Sequence, residues 1–269
     1  MGKMIKNNTM QYLNPREQEV ISRLSYEKVT VITQEEFDKL FGYLKSIRAK
    51  TLYRLSKKGI LKKIKNGVYL YSPLEAGPAG SNINEFLIPP LFFPKKNYYI
   101  GYSTMYNYYG FTDQLFQTMY ILNTSTQKEK VVSNMRFKMI KIAPKRLYGF
   151  ETIKIKDTDV IVSDREKTLI DLFYFSEPVG GLKKAFEILK SDVMGKKTDI
   201  ARLIKYAVKS SNTALIKRIG IALEECRVSD GMLSPLLKAV KKTSLINIYP
   251  SQSRKGSINK KWMVIENAS

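Results

Sequence analysis

The chain has 269 residues, with 46 Lys and Arg against 24 Asp and Glu, which gives a formal net charge of +22. Hydrophobic residues make up 43% of it, enough for a buried core in one large domain or two ordinary ones. Because histidine is absent and Cys226 is the single cysteine, a Ser-His-Asp triad, a histidine or cysteine metal site and an intrachain disulfide are excluded.

Other enzyme signatures are also missing from the sequence. It contains no GxxxxGK[ST] phosphate-binding loop. None of the 24 acidic residues is followed two positions later by lysine, which argues against the common nuclease pattern that ends in [DE]-x-K. We therefore predict a protein that is not an enzyme and that needs no metal and no cofactor.

The chain also lacks the apolar segments that membrane targeting requires. Its first ten residues contain no apolar core of a secretory signal, and no stretch approaches about 18 uninterrupted apolar residues. These observations predict a soluble, cytoplasmic protein with no membrane partner.

The positive charge is unevenly distributed along the sequence. Residues 1–80 carry a net charge of +8, residues 81–195 carry +4 and residues 196–269 carry +10. Between Asp38 and Glu75 there are ten basic residues and no acidic one. A general preference for lysine, as in proteins of hot habitats, would spread the charge evenly. The one-signed stretch instead favours a surface that attracts a polyanion.

The N-terminal part reads as three helices followed by a hairpin. Pro15 begins the first helix, and a capping box at Thr33 begins the second. Ser46 is the predicted N-cap of a third helix, which ends at Gly59. Two strand-like runs then flank Asn66-Gly67, the strongest short hairpin signal. This order predicts a winged helix-turn-helix DNA-binding domain over residues 1–75.

The third helix has an apolar side and a basic side. Its helical period groups Ala49, Leu52, Leu55 and Ser56 on the core side, with Arg48 close to it. The predicted DNA contacts are Lys50, Thr51, Arg54 and Lys57 in the major groove, Lys62, Lys63, Lys65 and Asn66 from the wing, and Lys45 and Lys58 as peripheral phosphate contacts. If about six phosphates are neutralised, log affinity should fall with log salt at a slope near −5. The alternative is a solvated basic subdomain with no nucleic-acid role.

A Pro-rich connection over 76–97 leads to a second domain over 98–269. Strand patterns come first in this domain, at 118–123, 128–132, 135–142, 153–155 and 160–162. Ser103 is the predicted cap of a short helix before them. Helical patterns follow at 164–175, 182–190, 198–209, 213–226 and 232–241, and two strand-like runs, 245–249 and 261–265, flank a polar loop, 251–259. The whole chain is therefore predicted to be α+β, with a larger mixed domain whose C-terminal part is helical.

Three side-chain groups in the second domain are open to more than one interpretation. The first group is a cluster of five carboxylates: Asp157, Asp159, Asp164, Glu166 and Asp171. Their pattern is more typical of a helix N-terminus and its ion pairs than of a catalytic site. The aromatic residues between Tyr98 and Phe116 fit a core better than a base-stacking platform, since no basic residue lies between 97 and 127. The candidates for contact with a protein partner or DNA are Arg165, Lys167, Arg202, Lys205, Lys209, Lys217, Arg218, Lys238, Lys241 and Lys242.

Several segments of the sequence match the pattern of a known family. In the first domain they are Leu52-Tyr-Arg-Leu55, Lys58-Gly-Ile-Leu61 and Lys65-Asn-Gly-Val-Tyr69. In the second domain they are Tyr102-Ser-Thr-Met-Tyr-Asn-Tyr-Tyr-Gly-Phe-Thr112, Ser163-Asp-Arg-Glu-Lys-Thr-Leu-Ile-Asp-Leu172, Gly180-Gly181, Lys217-Arg-Ile-Gly-Ile-Ala-Leu-Glu224 and Lys261-Trp-Met-Val-Ile-Glu-Asn267. In their order and spacing these segments resemble the AbiEi family, the antitoxin component of AbiE-type (type IV) toxin–antitoxin systems, also described as transcriptional regulators of viral defence loci. Tyr109 and Asn66 depart from the family, which usually has His and Arg there.

This resemblance implies two roles. The winged helix would bind inverted repeats in the double-stranded DNA of its own promoter and repress the operon. The second domain would counteract a cognate toxin of nucleotidyltransferase type in phage defence. Two alternatives remain open: a stand-alone winged-helix transcription factor with a ligand-sensing or dimerisation domain, and a metal-dependent nucleotidyltransferase or nuclease that uses the carboxylates of 157–171.

Overall fold

The computed structural model describes residues 13–73, 84–132, 134–155, 157–240 and 244–267. Its described residues divide into two compact units, one from Met1–Phe92 with Val131–Asn134 and one from Phe93–Lys130 with Met135–Ser269. Each unit combines helices with a β-sheet, so the predicted α+β class is confirmed. The predicted connection, 76–97, lies partly outside the described residues, as do Lys241 and Lys242.

The first unit follows the order helix, strand, helix, helix and hairpin. Its elements are α1 (Pro15–Tyr26), β1 (Val31–Thr33), α2 (Gln34–Phe41), α3 (Lys45–Lys57), β2 (Leu61–Lys65) and β3 (Val68–Tyr71), and then a single 3-10 turn (Glu85–Leu87) and α4 (Pro89–Phe92). The three strands form one sheet in the order β1-β3-β2, with antiparallel neighbours.

Capping side chains fix where the first two helices begin. Asn14 and Glu17 form a capping box around the Pro15 start of α1, and Thr33 and Glu36 form the predicted box of α2. The prediction for Ser46 is wrong, because α3 begins two residues earlier than this cap implies and has Leu44 at its N-cap, with no side-chain hydrogen bond there.

A single hydrophobic cluster joins the helices to the sheet of the first unit. The hairpin turns at Asn66-Gly67 as predicted, and Gly67 has φ +72°, a conformation that glycine adopts without strain. The Gly67 carbonyl accepts a hydrogen bond of 2.6 Å from the Gln34 amide, which ties the turn to the start of α2. The buried cluster consists of Val20, Ile21, Leu24, Ile32, Phe37, Leu52, Leu55, Ile60, Leu61 and Tyr71.

The second unit is built around a six-stranded sheet. Its strands are β4 (Tyr98–Gly101), β5 (Thr118–Asn123), β6 (Lys128–Val132), β7 (Met135–Lys141), β8 (Phe150–Ile155) and β9 (Thr158–Ser163), in the order β6-β7-β5-β4-β9-β8. β5 and β7 are parallel, as are β4 and β9. Every residue of β4 is buried, because this strand lies in the middle of the sheet.

Helices and a small sheet complete the second unit. The helices are α5 (Ser103–Tyr108), α6 (Arg165–Leu172), α7 (Leu182–Met194), α8 (Ile200–Lys209), α9 (Thr213–Glu225) and α10 (Asp230–Val240). The small sheet has the order β10-β12-β11, from β10 (Ile246–Asn247), β11 (Ser257–Asn259) and β12 (Val264–Glu266).

The sequence patterns missed several short elements and, besides the start of α3, the start of α5. β1, β4 and α4 were not predicted, and β11 lies in the segment predicted as a polar loop. Residue Ser103 is the first residue of α5 rather than its cap, since the N-cap is Tyr102, whose φ is +54°. Short strands that gain their hydrogen bonds from distant partners leave little local signal in a sequence.

Candidate nucleic-acid interface

One face of α3 is exposed and carries most of the helix's positive charge. Lys45, Lys50, Arg54 and Lys57 are all exposed. None of these four side chains forms an ion pair with a carboxylate in the described part of the chain. Four exposed cations on one helix, none of them in an ion pair, repel one another, so this surface is suited to bind an anion.

The buried side of α3 is rotated by one residue from the prediction. Residue Ala49 is exposed, whereas Arg48 and Thr51 are buried beside Leu52 and Leu55. The Arg48 guanidinium donates to the Asp38 carboxylate, which neutralises its charge at the edge of the core. The prediction that Thr51 faces DNA is therefore wrong: its hydroxyl donates to the Ile47 carbonyl at 3.0 Å within the helix.

The carboxylates of the first unit are bound internally. Each of the six between residues 13 and 73 has a hydrogen-bond or ion-pair partner within the unit, and none of them forms an ion pair with the exposed cations of α3. The six contacts are Glu17 with Lys58, Glu19 with Tyr43, Glu27 with Arg23, Glu35 with Lys39, Glu36 with the Thr33 amide, and Asp38 with Arg48.

Lys58 belongs to this internal set rather than to the exposed face. Its side chain is 16% exposed, and its ammonium donates to Glu17 at 2.6 Å, so its predicted role as a phosphate contact is wrong. Burial opposes ionisation of Glu17, but the hydrogen bonds from Lys58 and from the Asn14 amide outweigh it. The pKa of Glu17 is therefore lowered.

The hairpin adds further basic side chains near its turn. Lys63 and Asn66 are exposed, and Lys62 and Lys65 are half-buried. The register shifts between Lys63 and Lys65, so a bulge at this point alters the direction of the strand just before the turn. Neither Lys63 nor Lys65 forms an ion pair within the part of the chain that the structure describes.

Tyr53 is a surface residue of α3 that the sequence reasoning left out of the candidate site. Its side chain is 63% exposed and lies between the basic residues of the same face. The Lys57 ammonium is 5.7 Å from the centre of its ring. The signal that could have found it is an aromatic residue flanked by Lys50, Arg54 and Lys57 at helical spacing.

In the second unit the acidic cluster takes part in internal contacts. Asp164 is the N-cap of α6 and accepts from the Tyr206 hydroxyl at 2.8 Å. Asp171 pairs with the fully buried Lys167, and Glu166 accepts from the Asp199 amide at 2.8 Å. These contacts give the three carboxylates the structural role that the sequence favoured.

Lys167 is buried and therefore unsuited to bind a partner, contrary to the prediction. Its ammonium lies between the rings of Tyr99 and Tyr148, at 5.2 and 5.3 Å from their centres. Burial lowers the pKa of Lys167, and Asp171 opposes this shift. Burial also raises the pKa of Tyr99 well above its ordinary value.

Lys217 and Arg218 are also buried, so the prediction that they meet a partner is wrong. The Lys217 ammonium donates to the carbonyls of Ser244 and Met263 at 2.5 and 3.1 Å. The Arg218 guanidinium donates to the carbonyl of Ile248 at 2.8 Å. Desolvation lowers the pKa of both side chains. These two cations of α9 attach the C-terminal segment to the unit.

The other predicted partner residues reach the surface to different extents. Lys205 and Arg202 are exposed, and Arg202 pairs with Glu166 at 3.4 Å. The side chain of Arg165 is 22% exposed and forms an ion pair with Asp192. The structure does not bring these three side chains together with the buried Lys167 into one exposed patch.

The aromatic segment is mainly core, as the sequence favoured. The side chains of Tyr98, Tyr99, Tyr102 and Tyr106 are buried, and the Tyr106 hydroxyl donates to carbonyls of α6 and the turn after it. Burial raises the pKa of Tyr102 to about 12. The Tyr106 contacts join α5 to α6, and the Tyr99 hydroxyl donates from β4 to Asp171 of α6, so these buried side chains belong to the core rather than to a base-stacking surface.

No group of three or more His, Cys, Asp and Glu side chains in the part of the chain that the structure describes could hold a metal ion. No helix among the same residues is long and apolar enough to cross a membrane.

The fold and this surface define a two-unit α+β protein with a cationic helix face. No protein-family model matches the chain, and no curated protein matches it. Among solved structures it is similar to the RV2827C protein from Mycobacterium tuberculosis, with a TM-score of 0.63 and 12% sequence identity. The match covers 94% of this chain and 92% of that one, and at this identity it shows the shared fold alone.

Proposed function

We propose that the chain is a DNA-binding antitoxin and transcriptional autorepressor of a type IV toxin–antitoxin operon. In this proposal the first unit is a winged helix-turn-helix. Helices α2 and α3 are its helix-turn-helix, α3 is the recognition helix and the β2–β3 hairpin is the wing. The partner of this unit is double-stranded DNA with inverted repeats in the operon's own promoter.

The observation that carries the proposal is the separation of charge within the first unit. All six carboxylates of 13–73 have internal partners, while six cations of α3 and the hairpin form no ion pair among the described residues. Phosphate groups of DNA would supply the missing negative charge, and their counterions would be released. The six cations are Lys45, Lys50, Arg54, Lys57, Lys63 and Lys65.

The position of each residue along α3 suggests a division of labour. In helix-turn-helix proteins the N-terminal part of the recognition helix contacts base edges. Ala49, Lys50 and Tyr53 would therefore face bases, where the Ala49 methyl group suits contact with a thymine methyl group. Arg54 and Lys57, which lie farther along the exposed face, would contact phosphates.

The antitoxin half of the proposal rests on the resemblance of the second domain to the AbiEi family. Two of the segments that carry it, 102–112 and 163–172, lie in α5, the end of β9, α6 and the turns around them. A stand-alone transcription factor would have the same DNA-binding unit without this role. Rescue of cells from a toxin encoded beside the chain, measured as growth after induction, separates the two: no rescue would leave a repressor alone.

The first experiment measures binding of the full chain to its own upstream DNA and to a scrambled duplex across a salt series. We expect tight, sequence-selective binding. In the variant Lys50→Ala/Arg54→Ala the log–log salt slope should become less steep by about 1, because Arg54 contacts a phosphate, and the preference for the upstream DNA should fall, because Lys50 contacts a base. The control, Arg23→Ala/Lys28→Ala, removes the same charge from exposed positions at the end of α1. Equal binding to both duplexes, or equal loss in both variants, would refute the assignment of α3 as the recognition helix.

The enzymatic alternative makes an opposite prediction. A metal-dependent nucleotidyltransferase or nuclease would lose its activity in Asp164→Ala and Asp171→Ala. The internal contacts of Asp164 and Asp171 favour instead a loss of stability in these variants. Mg²⁺-dependent turnover by the wild-type chain that disappears in stably folded variants would replace the present proposal.

A further inference from the structure

A pocket of the second unit, distant in sequence from the proposed DNA-binding helix, combines cationic and aromatic side chains. It has a volume of about 300 Å³ and lies between α7, the start of α6 and the turn after α5. The pocket is lined by Tyr109, Phe111, Arg165, Lys184, Ile188 and Lys197, with the carboxylates of Glu187 and Asp192. This volume is at the lower end of the range for small-molecule sites.

Arg165 is held in one orientation at this pocket. Its Nε and Nη2 groups donate to the two carboxylate oxygens of Asp192, which is 5% exposed. The guanidinium carbon lies 5.4 and 5.2 Å from the ring centres of Tyr109 and Phe111. A guanidinium that is fixed by a carboxylate and two rings loses little entropy when it binds a further ligand.

The opposite edge of this guanidinium is available to a ligand. A guanidinium has five N–H donors, and Asp192 uses the edge formed by Nε and Nη2. The edge formed by Nη1 and the second proton of Nη2 has no acceptor among the described residues. This edge has the geometry for a bidentate hydrogen bond to a second oxyanion.

The remaining charges of the pocket favour a phosphate group. Asp192 is occupied by Arg165 and the Thr198 hydroxyl, and Glu187 pairs with Lys184 at 2.9 Å in an exposed, weak ion pair. Lys197 is exposed and has no ion pair within the described chain. Three cations against two occupied carboxylates leave an excess of positive charge.

We propose that this pocket binds the phosphate group of a small molecule such as a nucleoside monophosphate. The phosphate accepts two hydrogen bonds from the free edge of Arg165 and lies near the ammonium groups of Lys184 and Lys197. The rest of the ligand lies against Ile188 and the edge of Phe111, since the pocket is larger than a phosphate ion.

Calorimetric titration of the full chain with AMP, adenosine and inorganic phosphate tests the proposal. We expect saturable binding of AMP and none of adenosine. Binding of inorganic phosphate as tight as that of AMP would support the phosphate site and assign the free ion as its ligand. No saturable binding of AMP or phosphate at about 5 mM, or equal binding of adenosine, would overturn the proposal.

Variants then locate the site. Arg165→Lys keeps the charge beside Asp192 but removes the bidentate edge, so we expect the Kd for AMP to rise about tenfold. Lys197→Ala should also weaken AMP binding. The matched control is Lys196→Ala, at an exposed neighbour that does not line the pocket, and it should leave AMP affinity unchanged. AMP affinity that is unchanged in Arg165→Lys and Lys197→Ala would overturn the proposal. The proposal would also be overturned if the wild type did not bind AMP and these variants lost affinity for DNA. That result would assign Arg165 and Lys197 to a contact with DNA phosphate.

Discussion

Two adjacent lysines at the end of α3 are expected to have different roles, although the sequence does not distinguish them. Lys57 is exposed, with its ammonium 5.7 Å from the Tyr53 ring and no ion pair within the described residues. Lys58 donates to Glu17, whose side chain is 1% exposed. We expect Lys57→Ala to weaken DNA binding without loss of stability, and Lys58→Ala to destabilise the first unit.

The structure gives the size of both effects. Each phosphate contact contributes about −0.9 to the log–log salt slope, so the five cations assigned to phosphates give about −4.5 per bound protomer and Lys57→Ala brings the slope to about −3.6. Removal of one partner from a buried ion pair costs about 3 kcal/mol, because the remaining charge keeps its desolvation cost. Lys58→Ala leaves Glu17 in this position, so its free energy of unfolding should fall by about that amount.

Two assays on the same preparations measure these quantities. Fluorescence anisotropy of labelled operator DNA, from about 50 to 200 mM salt, gives the slope. Urea unfolding followed by far-ultraviolet circular dichroism gives the free energy of unfolding. Two results would refute this assignment of Lys58 to an internal ion pair and of Lys57 to the DNA-binding surface. One is a less steep salt slope with unchanged stability in Lys58→Ala, and the other is an unchanged salt slope in Lys57→Ala.

Three further predictions follow from the packing and charge of single residues. Tyr53→Ala should reduce the preference for operator over scrambled DNA while the unfolding midpoint stays constant, because Tyr53 is 63% exposed; unchanged preference in a binding assay would count against its base contact. Glu17 has a lowered pKa, so it contributes stability that is present above its ordinary pKa and is lost as the pH falls through its folded pKa. Glu17→Gln should remove this acid dependence. Unfolding temperatures measured from pH 7 downwards that fall as steeply in Glu17→Gln as in the wild type would contradict this prediction. Gly220→Ala should destabilise the second unit by about 2 kcal/mol or more, since its Cβ would lie 2.2 Å from the Trp262 ring; a urea midpoint equal to the wild type would disprove the close packing.

Local signals in the sequence were sufficient for much of the first unit. The capping box of Thr33 and the turn at Asn66-Gly67 depend on residues close together in the chain, and both are present as predicted. The predicted start of α3 was two residues too late because Ser46 resembles a cap, whereas the structure begins the helix at Lys45 without a side-chain cap.

Long-range ion pairs limited the prediction of the candidate site. Arg48 and Lys58 belong to the first unit's internal contacts because Asp38 and Glu17, 10 and 41 residues away, lie beside them. A helical projection assigns charged side chains to the surface, so it could not show that Lys167 and Lys217 are buried. Thr51 is buried because the buried side of α3 is rotated by one residue from the predicted side.

The close approach of Trp262 to Gly220 makes the second unit separately observable. Trp262 is the single tryptophan of the chain, is fully buried, and donates from its indole to Glu224 at 2.6 Å. Its emission therefore reports on the second unit alone, whereas circular dichroism averages over both. If the unfolding curves from tryptophan emission and from circular dichroism coincide, the two units unfold together in one cooperative transition. Separate midpoints would show that each unit is an independent folding domain.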